Sequence, residues 1–480
     1  MRAFGFPPAR HSLQKVGIVM IFYKKNTTMP KTSRKTVKFD FSAFPSENSL
    51  KNDVLYPVKC QNFRAVSGAI GAACGTQAAF SENPLEDIAI TNAWLLGNAK
   101  TGKLIYSTAA STYSLSLQGA GDANATAPQP SLIYSTGFSS PMRALDYVNA
   151  QNTHELYIFS EKGIYFYNGS SFSLIKNSPV VTTGCVYYDR LFAVSALIPY
   201  RMYFSAPLEG NNWTASYLSA GYVDLSPEHG AIHALFSIGK NLYALREHGI
   251  TRLHTEGENF NFTAMPFSAA FGSVYADSIQ RVGACLIFLT SEGLYSFNGN
   301  RVEKLNFAFL NGADFATSPD CRAFVYGAHY VLNYLDGKNN RRTLFLNPAE
   351  QEGWISDMDI SFPISDGNRC FFLDNGIFAT FSQKSSRCNG AMYKTWESDF
   401  TKLGLGDGRK LLRAVSLQGK GNVQLRIRGE HVFDERVYTL SLNGQAAVHP
   451  LLKGKAFSFQ VESEDEECLL QSLSVTAEIW

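Results

Sequence analysis

Charge is scarce in this chain. Of its 480 residues only 18% are Asp, Glu, Lys or Arg, and 43 basic residues nearly cancel 41 acidic ones to leave a formal net charge of +2. No global field therefore draws the protein to nucleic acid or to an anionic membrane. Long apolar runs are missing as well. The one N-terminal run, Val16–Tyr23, meets Lys24 and Lys25 at once. It is short for a secretion signal and far too short to cross a bilayer. The eight cysteines include no C-x-x-C pair, and Cys285 and Cys370 lie inside apolar stretches. Small core thiols are the expectation, ahead of a disulfide framework or a metal site. H-E-x-x-H, P-loop, dinucleotide and nucleophile-elbow patterns are all absent, so no catalytic residue, cofactor or metal is expected.

What the chain has in quantity is aromatic residues and glycine: 35 Phe, 23 Tyr and 38 Gly. With so little charge, this mixture points to an all-β protein. Four fragments repeat one design: LYIFSEKGIYFYNG from Leu156, NLYALREHGITRL from Asn241, CLIFLTSEGLYSFNG from Cys285 and CFFLDNGIFATF from Cys370. Each is an apolar strand, a polar turn closing on glycine, and a second apolar strand. The turn residues are Gly163, Gly249, Gly293 and Gly376, where a positive φ is expected.

The repeat length of roughly 40–45 residues is that of a propeller blade. Arg190–Pro207 and Cys321–Leu335 fall near the midpoints of the two double gaps, the first without a turn glycine and the second with Gly327. The expected fold is a β-propeller of six to eight blades, seven favoured, with a C-terminal β-sandwich. Similar hairpins in a plain sandwich remain the alternative.

Four regions follow. Residues 1–35 form a basic leader, expected to be disordered, with nine Lys/Arg among the first forty residues and a start that could equally fall at Met29. Residues 36–95 hold a half-exposed strand, TVKFDFSAF, then an extended arm whose Cys60–Phe80 stretch reads as loop. Residues 96–390 are the propeller and 391–480 the sandwich. In the latter LLRAVSLQG, NVQLRIRG and RVYTLSLNG read as three alternating strands separated by glycine turns.

Candidate chemistry is sparse. His229 and His233 stand four apart, but Gly230 between them breaks the helical face that would align two metal ligands. Glu209, Asp224 and Glu228 are isolated loop acids, and a hydrolase would need such groups to converge. Trp213 and Trp354 are candidates for a sugar platform, a subunit contact or a blade core.

The segment RMYFSAPLEGNNWTASYLSAGYVDL, followed by NLYALREHGITRL, resembles β-propeller tail proteins of bacteriophages and prophages. The matching positions are Tyr203, Ser205, Trp213, Gly221, Tyr222 and Asp224, then Leu242, Tyr243, Gly249 and Ile250. YKTWESDF, opening the terminal unit at Tyr393, and the closing KGKAFSFQV and LLQSLSVTAEI are similar to the same proteins. The resemblance implies a virion structural role, as a short-tail nozzle or head–tail connector made in the bacterial cytoplasm. It further implies a cyclic homo-oligomer docked on other virion proteins, with phage DNA passing its lumen without specific binding and no membrane contact. Trp213, Tyr222, Asp224 and Trp396 are then candidate loop contacts, with Trp396 anchoring the start of the sandwich. Two rivals stand beside this reading: a receptor- or glycan-binding propeller and, less favoured, a propeller hydrolase.

Overall fold

The computed structural model describes residues 33–43, 50–51, 54–67, 69–215, 219–255, 262–267, 271–307, 310, 313, 315, 320–388, 390–430 and 434–480. The leader up to residue 32, with Met29, lies outside them. Seven four-stranded antiparallel sheets make a seven-bladed propeller. The first strands of the blades are Asn92–Leu96, Ala144–Val148, Val181–Tyr187, Ile232–Ile238, Gln280–Val282, Arg322–Tyr326 and Ile360–Ser365. No helix among the described residues is long and apolar enough to cross a membrane.

The apolar runs are continuous because the second strand of a blade is buried on both faces. In blade 2, Leu156 and Ile158 face the core shared with blade 1, while Tyr157 and Phe159 face the core shared with blade 3. In blade 5, Leu286 and Phe288 pack toward blade 4, and Ile287 and Leu289 toward blade 6. One such core fills each of the seven gaps between neighbouring blades, including the gap between blades 7 and 1, where Phe371 and Phe378 meet Leu104 and Tyr106. No blade covers its own faces, so the ring is stable only as a ring.

Closure of the ring uses the stretch expected to be loop. Blade 7 takes its outermost strand from Gly75–Ala78, which pairs antiparallel with Ile377–Ser382. Thr76 Oγ1 donates to the buried Asp374 carboxylate at 2.6 Å and accepts from the Cys388 N–H at 3.2 Å. The small, alternating Gly/Ala/Thr composition hid this strand. Its reason is close approach: a Cβ on Gly75 would lie 1.9 Å from the Ser386 carbonyl oxygen.

The four repeating fragments all form the hairpin between second and third strands, in blades 2, 4, 5 and 7. Gly163, Gly249 and Gly293 follow a two-residue turn, with φ of 121°, 106° and 121°. Gly376 differs by one register position: Asn375 and Gly376, at φ 50° and 82°, are themselves the two turn residues between Asp374 and Ile377, the Asn-Gly hairpin geometry. Gly327 belongs to another hairpin, between the first and second strands of blade 6. Gly239 and Gly283 occupy the same place in blades 4 and 5, with φ near that of Gly327 (58°, 58° and 59°).

The C-terminal unit is one hydrogen-bonded sheet curled nearly closed on its own core. Its backbone is a correction to the expected three strands. LLRAVSLQG and NVQLRIRG are a single strand, Lys410–Gly429, running through the glycines read as a turn. Along one edge it pairs with Glu435–Val448. Along the other it pairs first with Leu469–Ile479 and then, beyond Gly421, with Phe457–Ser463, so the sheet forks into two layers there. The glycines permit the fork: a Cβ on Gly419 would lie 2.1 Å from the Leu469 carbonyl oxygen, and Gly421 has φ 102°. The strand at Ser33–Phe41 starts inside the expected leader and pairs with Leu469–Ile479.

The 36–95 region is thereby shared. Pro57–Gln61 pairs with Lys394–Ser398, and Ala69–Ala72 reaches Leu469, before Gly75 enters the propeller. At the junction Asn62, at φ 60°, donates from its side chain to Asp357 (2.8 Å) and to the Tyr393 carbonyl (2.6 Å).

Replacing Gly249 by Val is expected to destabilise the protein by about 1–3 kcal/mol through a disfavoured backbone conformation; chemical denaturation measures it, and wild-type stability would refute the turn assignment. Thr76→Val, which leaves Asp374 without its hydroxyl donor, is expected to cost about 1–3 kcal/mol and to lower the midpoint of the same transition.

Candidate functional site

The first strands of successive blades stand side by side around an axial channel, with blade 7 meeting blade 1. Cavities of 420, 680 and 690 Å³ open along this axis, all bordered by Arg322 of blade 6. Arg143, ahead of blade 2, reaches across to Asp277, on the short turn ahead of blade 5. Its Nε and Nη2 both donate to Asp277 Oδ1, at 3.1 and 2.8 Å. Arg281 is held by the carbonyls of Gly283 and Ser237. Asp146 is engaged by His154 (2.7 Å) and by the Gly97 N–H. Burial alone would raise the Asp366 carboxyl, but the backbone N–H groups of Arg369, Ala99 and Asn368 hold it below the usual range.

His233 lines the same channel, and burial pushes its pKa down, Glu247 opposing and Arg143 adding to the effect. The ring is therefore neutral at pH 7. His229 lies on a short turn before this strand, and no group of three metal-ligating side chains occurs among the described residues.

The loop candidates divide. Tyr222 is exposed, and the Arg201 guanidinium lies over its ring at 3.9 Å. Asp224 closes the same cluster by accepting from Arg201 Nε at 2.7 Å and Nη2 at 2.8 Å. That pairing holds its carboxyl below the usual range. Trp213 is half-buried against the core of blades 2 and 3, and its indole N–H has no acceptor among the described residues. Trp396 is not a loop contact. It sits on the strand Lys394–Ser398, fully buried, edge-on to Phe41 at 4.7 Å with its N–H donated to the Ser42 carbonyl at 2.8 Å. Trp354 stacks on Phe345 at 4.6 Å in the core of blades 6 and 7. Glu209 binds Asn212 rather than another acid. The turn residues Gly163, Gly249, Gly293 and Gly376 shape blade hairpins and bring no chemistry together.

All eight cysteines are free thiols. Burial pushes Cys60, Cys74 and Cys321 up to about 12, so these sulfurs stay protonated and unreactive at neutral pH.

The axial arginines were missed at the sequence level because they lie far apart in the chain. The available local signal was slight: Arg143 just before the strand Ala144–Val148, and Arg322 at the head of Arg322–Tyr326.

No protein-family model and no curated protein matches the chain. Among solved structures it is similar to BBS1N in complex with ARL6DN, at 8% identity and a TM-score of 0.41, over 66% of this chain and 97% of that one. It is similar to a catalytically inactive virginiamycin B lyase from Staphylococcus aureus with quinupristin, at 10% identity and a TM-score of 0.41, over 64% and 98%. The extracellular domain of the putative one component system BT4673 from B. thetaiotaomicron aligns at 10% identity and a TM-score of 0.40, over 85% of this chain and 60% of that one. These likenesses concern the fold alone.

Because Arg201 depresses the Asp224 pKa, the stabilisation from this pair is present above the ordinary Asp pKa and is lost as pH falls through the folded value. Carboxyl carbon shifts followed by NMR should titrate for Asp224 below the ordinary aspartate range. Arg201→Gln should return that titration to the ordinary range; an unchanged midpoint would refute the pairing.

Proposed function

We propose that the protein is a non-enzymatic structural subunit of a phage or prophage particle, a tail nozzle or head–tail connector that assembles as a closed ring of identical copies. The observation that supports it is an open sheet edge. The strand Glu435–Val448 pairs along one side with Lys410–Gly429 and has no partner along the other among the described residues. It is fourteen residues long and carries exposed Val437 at its start, with exposed Leu451 just beyond its end. Monomeric proteins shield such edges, because unpaired N–H and C=O groups recruit another strand.

A contact that joins this edge to a different surface of the next copy is heterologous, and it closes a ring when the rotation per copy divides a full turn. The propeller supplies a stiff wall, since each blade is held by two neighbours. The junction at Asn62 and Asp357 transmits its orientation to the sheet that would carry the contact. Near-neutral charge suits a conduit through which DNA moves without sticking. The resemblance of Arg201–Leu225 and of the terminal strands to phage propeller proteins supplies the setting.

Purified chain at micromolar concentration should form rings of several copies by light scattering and negative-stain imaging. Thr439→Lys with Ser441→Lys, which places charge on the open edge, should leave monomers with an unchanged melting temperature. A wild-type chain that stays monomeric throughout would contradict the assembly reading, as would rings that survive the double substitution.

A further inference from the structure

The axial channel holds a guanidinium with nothing to bind. Arg322 heads the first strand of blade 6 and is half-buried; its backbone pairs with Asn333, but its guanidinium makes no hydrogen bond to any described residue. Burial lowers its pKa, Asp277 opposing and Arg143 reinforcing the effect. A partly desolvated cation with five unused donors is costly unless an anion meets it. The other arginines of the channel are already engaged: Arg143 by Asp277, and Arg281 by two carbonyls.

The cavity is not simply basic. Asp277, which lines the cavity, accepts both bonds from Arg143 on Oδ1, and its Oδ2 has no hydrogen-bond donor among the described residues. Glu161, on the blade 2 turn, is a second exposed acceptor at the cavity wall, while Asp320 is paired with Arg341. His233, Thr182 and the apolar ring of Phe159 are among the other lining residues. A bare anion would gain from Arg322 and be repelled by Asp277 and Glu161. A ligand that carries one anionic group together with several hydroxyl donors satisfies both sets. The 680 Å³ cavity shares Arg322 with a second cavity of 690 Å³ along the same axis and has room for a sugar ring or two.

We propose that the axial channel is a binding site for an acidic saccharide, whose carboxylate or phosphate is held by Arg322 and whose hydroxyls donate to Asp277 Oδ2 and Glu161. The site lies on the propeller axis, away from the open edge of the C-terminal sheet, so it stands or falls independently of ring assembly.

The test is saturation-transfer NMR and calorimetry on the full chain, with glucuronate, glucose 6-phosphate, glucose, inorganic phosphate and glycine as probes. Glucuronate or glucose 6-phosphate should bind at least tenfold more tightly than glucose or phosphate, and whichever binds better identifies the anionic group. Arg322→Gln should weaken that binding tenfold or more, with an unchanged melting temperature. If that variant misfolds, Arg322→Lys, which keeps the charge but loses the planar fork, should still weaken it several-fold. Asp277→Asn should reduce the preference for the sugar over phosphate. Equal binding of glucose, tighter binding of the zwitterion glycine, no binding by any probe, or an affinity indifferent to Arg322 would each overturn the assignment.

Discussion

The structure depends on one pairing, that of Gly75–Ala78 with Ile377–Ser382. A propeller blade has no covered face of its own, so its apolar strands are stable only between two neighbours. Six gaps are filled as the chain advances. The seventh can fill only when the chain's end meets its beginning, and the N-terminal strand brings the two together. Thr76 then satisfies a carboxylate that burial would otherwise penalise. The same segment has just passed through the C-terminal sheet, so one stretch of backbone closes the ring and binds the two units.

This arrangement explains which features could be read from the sequence. The second strands are apolar on both faces, which makes them conspicuous, and the turn glycines after them mark blades 2, 4, 5 and 7. The period followed from those marks, and the fainter runs at Leu104, Arg190 and Cys321 brought the expected count to six to eight blades, seven favoured. Blades 1, 3 and 6 were faint for physical reasons. The hairpin of blade 3 between Arg190–Ser195 and Arg201–Phe204 uses a longer loop. Gly327 marks the preceding turn of blade 6, in series with Gly239 and Gly283, and not the turn that the other fragments share. The closing strand was illegible because Gly, Thr, Gln and Ala serve close approach there, not hydrophobic pattern. The glycines at 419 and 421 misled in the opposite sense: they permit a fork in a continuous strand, where turn chemistry predicts a reversal.

The candidate sites were legible only in part. The Arg201, Tyr222 and Asp224 cluster lies within one short segment, and its residue types were visible in the sequence. Trp396 could be placed at the start of the terminal unit, but only its contact with Phe41 and Ser42 shows that it is a core residue. The channel arginines Arg143 and Arg322 come from blades that are distant in sequence, and no local pattern joins them to Asp277. Radial architecture thus brings residues from every blade to one axis, where sequence reading is weakest. The C-terminal sheet keeps one long edge, at Glu435–Val448, unpaired among the described residues.

The most direct measurement of ring closure is amide hydrogen exchange, resolved by mass spectrometry, across residues 75–78 and 377–382. A closed seven-bladed ring predicts that both segments are protected to the same degree and lose that protection together in denaturant. Exchange of 75–78 within seconds, while 377–382 stays protected, would show an open seventh blade and contradict the account.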